Sequence, residues 1–288
     1  DIQARLNLMP YDGNPEIKES NGSKYLYMRK RVAGKLTSTY VDVYSDELYQ
    51  LLLRNAKERK DLNKAIRKIN KDLELSARVL QNLDFARANL KTNIYDQAVL
   101  EGVATTFPQT EDIIENGQVH GVSATDVQKI LNLKHAWEFI LDRDVIQSES
   151  NYHMLCHIAK LVNEGFFYDG GRIRGIPVQI GGTSYVPPLP IETVVIERID
   201  EIRSQDKKPI EIAIELCMYC MKTQVFKDGN KRASVIFANH YLIAQGMGFL
   251  VIPEKDVPEF KKLLVQYYEG EPLEVIGAFL KERCWKKF

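Results

Sequence analysis

Residues 224–232, QVFKDGNKR, hold the strongest chemical signal in the chain. Apolar periodicity predicts helices over 209–224 and 230–245, so Lys227-Asp228-Gly229 forms a tight connection between them. Gly229 permits a positive φ and a close approach of backbone to a ligand. The N–H groups that open the second helix carry its positive dipole end and form an anion site, to which Lys231 and Arg232 add full charges. Asp228 beside such a site is at odds with a phosphate unless a divalent cation bridges the two, and Mg²⁺ held by one carboxylate plus substrate phosphates is a common arrangement. The pattern fits a Mg²⁺-nucleotide or polyphosphate site between two helices. It fits equally an αα-corner whose Asp-Gly-Asn only caps a helix.

The elements around this loop read as mainly α. After residue 75 the periodicity predicts helices over 76–100, 125–141, 149–162, 190–203, 209–224, 230–245, 257–268 and 272–284, with Thr125 and Gln128 as a capping box. Residues 172–186, RIRGIPVQIGGTSYV, alternate around Ile173, Ile176, Val178 and Ile180 and turn at Gly181-Gly182, which predicts a β-hairpin whose free edge can accept an added strand. Upstream, 11–23 reads as a polar segment and 24–43 as a two-stranded hairpin turning at Ala33-Gly34. Ser45 then caps a largely polar helix running toward Asn70, with Asp46 and Glu47 in its first turn. The domains expected are an N-terminal hairpin-and-helix extension over 1–75 and a helical domain over 76–288.

Among 288 residues, 39 Lys and Arg balance 39 Asp and Glu, which argues against a chain whose main business is coating nucleic acid or an anionic membrane. Residues 24–75 alone are mildly basic, and there a solvated helix face with a charged edge hairpin is the preferred reading over nucleic-acid contact. No apolar run reaches the roughly 18 residues of a membrane helix. Four cysteines, Cys156, Cys217, Cys220 and Cys284, are too few for a disulfide scaffold and favour a reducing, cytoplasmic setting.

The loop and its surroundings resemble the Fic (Fido) family, whose signature is His-Pro-Phe-x-Asp/Glu-Gly-Asn-Gly-Arg. QVFKDGNKR aligns with it without a gap, the 172–188 hairpin looks like the family's flap, Asn239 and Gly246 sit where its post-motif helix carries Asn and Gly, and Glu101-Gly102 within 92–106 resembles its inhibitory segment. The resemblance implies a helical core with one flap hairpin and transfer of AMP from ATP to a hydroxyl of a target protein. Asp228 would hold Mg²⁺. Gly229, Asn230, Lys231 and Arg232 would bind phosphates, and the flap residues Val178, Ile180, Gly181 and Tyr185 would dock the target, with a homo-oligomer left open.

Three departures from the family's pattern bear on the chemistry. Gln224 stands where the general base would be, and a carboxamide accepts no proton near neutral pH, a loss that commonly costs about 10²–10⁴-fold in rate. Lys231 replaces the second Gly, and Val235 stands where many members carry a second Arg. The resulting expectation is an ATP-binding member with compromised transfer. The alternatives are a non-catalytic regulator, a de-AMPylase in which Glu101 activates water, and a DNA-binding regulator acting through the basic N-terminal hairpin. Glu101 closes a helix at its negative dipole end, so a cation, Arg232 or Lys231, is expected close by. Cys217 and Cys220 read as buried structural thiols, His153 and His157 as helix-packing residues, and His240 as a distant substitute base.

Overall fold

In the computed structural model, residues 6, 9, 11–32, 34–117 and 120–288 are described, without the side chains of 32 and 68–76. Ala33 of the expected turn therefore lies outside the described residues, whereas the helix expected to end near Asn70 and the one expected to start at Ser76 are a single helix, Asp46–Ala88. The chain divides into two compact units, 1–76 and 77–288.

The first unit holds an antiparallel sheet of three strands, β1 (Asn14–Ser20), β2 (Ser23–Val32) and β3 (Lys35–Val43), in the order β1-β2-β3. The sequence reading expected two strands, and β1 is the addition. Its turn to β2 is Asn21-Gly22, with φ of 51° and 76°, the left-handed pair that a type I′ hairpin turn requires. Leu26 and Met28 on one face of β2 are buried with Leu52 from helix α1 (Asp46–Ala88). Ser45 Oγ accepts from Leu48 N at 3.2 Å and caps that helix.

The second unit is built of helices: α2 (Leu90–Leu100), α3 (Phe107–Asn116), α4 (Ala124–Ile140), α5 (Tyr152–Val162), α6 (Glu192–Arg203), α7 (Pro209–Thr223), α8 (Asn230–Ala244), α9 (Val257–Tyr268) and α10 (Leu273–Phe279). A two-residue strand pair, β4 (Phe249–Leu250) with β5 (Trp285–Lys286), closes it. The 76–100 helix is divided at Asn89, whose side-chain amide donates to Phe85 O at 2.9 Å in place of a continuing backbone bond. α3 was not expected. Thr106 and Gln109 form its capping box, and Gly117 ends it at a φ of 72°. The box expected at Thr125 is absent, because Ser123 takes the N-cap and accepts from Asp126 N at 3.1 Å. The expected 272–284 helix is α only to Phe279 and continues as a π turn over Leu280–Cys284.

α8 is the central element, with thirteen of its fifteen residues buried. α5, α7 and α4 pack around it. Asn239, midway along α8, pairs with both backbone groups of Leu250 at 2.7 Å and so fixes β4 against the helix. A helix buried this completely has little freedom to shift, so its first turn is held rigidly.

Candidate active site

The 224–232 loop leaves α7 at Gln224 and enters α8 at Asn230. Gln224 lies in the left-handed region, φ 49°, and its backbone N–H returns to Cys220 O at 3.2 Å. That conformation turns its side chain back onto α7. Nε2 donates to Met221 O at 2.7 Å, and Oε1 accepts from Asn230 Nδ2 at 3.0 Å. Asn230 also bridges Phe226, accepting from its N–H at 2.9 Å and donating to its carbonyl at 2.8 Å. Gln224 and Asn230 together brace the loop from within.

Gly229 has a φ of 74°, as the turn requires. The group that comes close to it is a protein side chain: an added Cβ would lie 2.7 Å from Asn163 Oδ1. Asn163, at the end of α5, is buried and donates from Nδ2 to Asp228 O at 3.0 Å and Gly170 O at 3.1 Å. Lys227 points away to Asp169 at 2.5 Å, and each charge stabilises the other, holding the Asp169 carboxyl below its ordinary range and raising Lys227.

The charged residues gather at the start of α8. Arg232 is 3% exposed and its guanidinium donates to Val162 O at 2.8 Å and to Asp228 Oδ2 at 3.2 Å. Its backbone carbonyl accepts from Gln97 at 2.9 Å, and Gln97 in turn accepts from Trp137 Nε1 at 2.8 Å. Glu101, the C-cap of α2, is 12% exposed; its carboxylate lies 3.6 Å from Lys231 Nζ and 3.4 Å from Arg232 Nε. The structure therefore puts Glu101 against both cations. Glu101 Oε1 and Arg232 Nε are nevertheless buried with no hydrogen-bond partner among the described residues, so charge alone holds this contact.

Asp228 remains 57% exposed beside Arg232, and no group of three metal-binding side chains occurs among the described residues. A cation here would rest on one protein carboxylate plus ligand oxygens, a donor set that suits Mg²⁺ with a nucleotide. Val235 is buried in the core of α8.

Residues 172–188 contain no strand, in contrast to the expected hairpin. Pro177, Pro187 and Pro188 lack the N–H a ladder needs, and the two ends of the segment are tied by a side chain instead. Arg174, 2% exposed, donates to Gln224 O at 2.5 Å, Ile176 O at 2.8 Å and Pro188 O at 2.6 Å. No carboxylate pairs with it among the described residues, and burial lowers its pKa. Tyr185 stacks on Tyr268 at 6.1 Å, and Thr183 donates to Glu269 at 2.8 Å beyond α9. Val178 and Ile180 are half-buried and Gly181 is exposed at the tip. Arg174 and Asn163 are site-shaping residues that the sequence reading passed over.

The other candidates lie outside this site. His240 is buried, its Nδ1 2.7 Å from Ser150 Oγ and its Nε2 3.0 Å from Val145 O, and burial lowers its pKa. His157 stacks on Phe139 at 4.4 Å and His153 packs edge-on against Tyr152. Cys217 and Cys220 are free thiols in the core, and burial pushes Cys217 up to about 12 and raises Cys220 as well.

Comparison with known proteins relates the stretch that contains the loop to one family. The family model described as Fic/DOC family matches residues 150–242, and one described as a domain of unknown function (DUF6788) matches residues 1–50. The protein adenylyltransferase Fic of Drosophila grimshawi is 24% identical over 194 residues, 62% of this chain and 38% of that protein, and the one of Drosophila willistoni is 25% identical over a similar stretch. The chain thus spans well under half the length of these curated relatives. Among solved structures, a segment of Fic-1 from C. elegans superposes with a TM-score of 0.57 at 18% identity, covering 82% of this chain and 74% of that one. A Fic domain containing signaling protein from Bacteroides thetaiotaomicron superposes at 0.56, covering 72% and 89%. No described helix is long and apolar enough to cross a membrane. The helical unit has the fold of these Fic structures, and residues 150–242 match the Fic/DOC family model.

Proposed function

We propose that this chain is an ATP-binding protein of the Fic transferase type whose cradle is held closed by Glu101 and whose AMP-transfer chemistry is disabled at Gln224. The observation that carries the reading is the Glu101 carboxylate lodged between Lys231 and Arg232 with Glu101 Oε1 and Arg232 Nε both lacking hydrogen bonds. A pair left unsatisfied in this way is open to exchange, because a phosphate offers several oxygens to the same two cations and to the N–H groups of the first turn.

In this reading Lys231, Arg232 and the first turn of α8 hold the phosphates. Asp228 would hold Mg²⁺, which when bound supplies charge neutralisation for the phosphates. Asn230 and Asn163 keep the loop in shape. Gln224 cannot take the proton of an attacking hydroxyl, and the nitrogen and oxygen of its side-chain amide already serve the loop. The flap segment, fixed by Arg174 and Tyr185, would dock the target protein.

Incubation with α-labelled ATP, Mg²⁺ and a cell lysate tests the chemistry. The wild type and Glu101→Gly leave proteins unlabelled, and Glu101→Gly combined with Gln224→His labels a target. Equal labelling by the wild type and the double variant would refute a disabled base.

A further inference from the structure

The three-stranded sheet gathers charge and aromatic rings on one face that the Fic-type chemistry does not use. The register places Tyr25, Tyr27, Arg29 and Arg31 of β2 on the same face as Lys18 and Glu16 of β1 and Ser38, Tyr40 and Leu36 of β3. This is the face opposite Leu26 and Met28, which are buried with Leu52. Tyr40 is 51% exposed and Leu36 53%. A two-stranded hairpin would not have assembled this surface. β1 brings Lys18 over the Tyr27 ring at 4.5 Å and widens the face to three strands.

The charge on the face is one-sided. Lys18, Arg29 and Arg31 stand against the single carboxylate of Glu16, which both Lys18 at 3.8 Å and Arg29 at 3.6 Å reach. Arg31 has no carboxylate partner among the described residues. Ser38, opposite Arg29 in the register, donates its hydroxyl to Glu16 Oε2 at 3.1 Å. Cations interleaved with hydroxyl and phenol groups on an exposed surface suit the phosphates and edges of a nucleic acid.

The arrangement of the rings selects the form of that nucleic acid. Tyr27 and Tyr40 meet nearly edge-on at 74°, Tyr25 and Tyr40 at 55°, and Lys18 covers one face of Tyr27. They make no flat platform on which the splayed bases of a single strand could stack. The outer axes of three strands lie about 10 Å apart, a span on the scale of the roughly 12 Å major groove of B-form DNA, whereas the deep, narrow groove of A-form RNA excludes side chains. We propose that the outer face of the β1-β2-β3 sheet docks on double-stranded DNA through Lys18, Arg29, Arg31 and the tyrosine cluster. This inference is independent of the nucleotide reading.

Fluorescence anisotropy of the full chain with a labelled 20-base-pair duplex, from 50 to 200 mM salt, tests it. Three phosphate contacts predict a salt slope near −2.7, or an affinity loss of roughly 40-fold over that range. Arg29→Gln with Arg31→Gln should reduce the slope to about −0.9, a loss of only about 3- to 4-fold, and weaken binding at low salt. Lys261→Gln with Lys262→Gln on α9 should change nothing, and unaltered circular dichroism and melting of the sheet variants show that they fold. The proposal is overturned by no duplex binding at 50 mM salt, by a slope the sheet variants do not move, by equal or tighter binding of the single strand or duplex RNA, or by binding to anionic vesicles in place of DNA.

Discussion

Gly229 offers a quantitative test of how the loop is held. In Gly229→Ala the new Cβ would lie 2.7 Å from Asn163 Oδ1, 3.0 Å from Nδ2 and 3.1 Å from Cγ, at a backbone φ of 74°. The left-handed conformation alone costs an alanine about 1–2 kcal/mol. Asn163 has little room to retreat, since it is 1% exposed and its Cβ would lie only 2.5 Å from a Cβ placed at Gly170. Moving it breaks its bonds to Asp228 O and Gly170 O, each worth about 1 kcal/mol net and more where a buried carbonyl is left bare. The substitution should therefore cost about 4 kcal/mol, and Asn163→Ala by itself about 2–3 kcal/mol. In the double variant the clash is gone and the bonds are lost only once, so the combined cost should fall short of the sum by about 2 kcal/mol. Urea unfolding of the four proteins reads this coupling. Costs that add to within about 0.5 kcal/mol would refute the argument that Asn163 is what Gly229 makes room for.

Arg174→Met keeps the length of the side chain and removes its bonds to Gln224 O, Ile176 O and Pro188 O, so chymotryptic cleavage after Tyr185 should accelerate at least 10-fold; an unchanged rate would show that the segment is held by its apolar contacts alone. His240 is satisfied as the neutral ring, with Nε2–H donating to Val145 O and Nδ1 accepting from Ser150 Oγ. Its pKa is lowered by burial from 6.5, so the folded state disfavours the proton, its stability is intact above about pH 6.5 and falls as the pH drops through the folded value. The melting temperature should decline more steeply below pH 6.5 in the wild type than in His240→Gln, and parallel curves would contradict this. Cys217, Cys220 and Cys284 are buried with raised pKa values, so a thiol reagent at pH 8 should label them only as fast as the protein unfolds, and rapid native labelling of all three would contradict the packing.

Much of the site was legible because its signals are local. Asp228-Gly229-Asn230 between two apolar periodicities marks a tight turn into a buried helix, and the helix-end position of Glu101 demands a cation, which Lys231 and Arg232 supply. Features set by distant residues were not legible. Nothing near Asn163 or Arg174 in the chain announces that one fills the space above Gly229 and the other binds the carbonyls of Gln224 and Pro188. The alternation in 172–186 has the period of a strand, but tertiary bonds from Arg174 and prolines without N–H groups displaced the ladder. Two local signals were present and passed over. Asn21-Gly22 is a strong hairpin turn preceding β2, and Thr106 with Gln109 is a true capping box where Thr125 with Gln128 is not. Composition was a poor guide at the same place: zero net charge across 288 residues conceals a sheet face with three cations and one acid.

Glu101 lies against the cations at the start of α8, where the phosphates of a nucleotide would bind. Calorimetric titration of ATP with Mg²⁺ into the wild type and into Glu101→Gly measures that directly. Removing a carboxylate 3.4–3.6 Å from both cations should tighten ATP binding at least 10-fold, equivalent to about 1.4 kcal/mol. Equal affinity in the two proteins, or no binding in either, would contradict a nucleotide cradle held closed by Glu101.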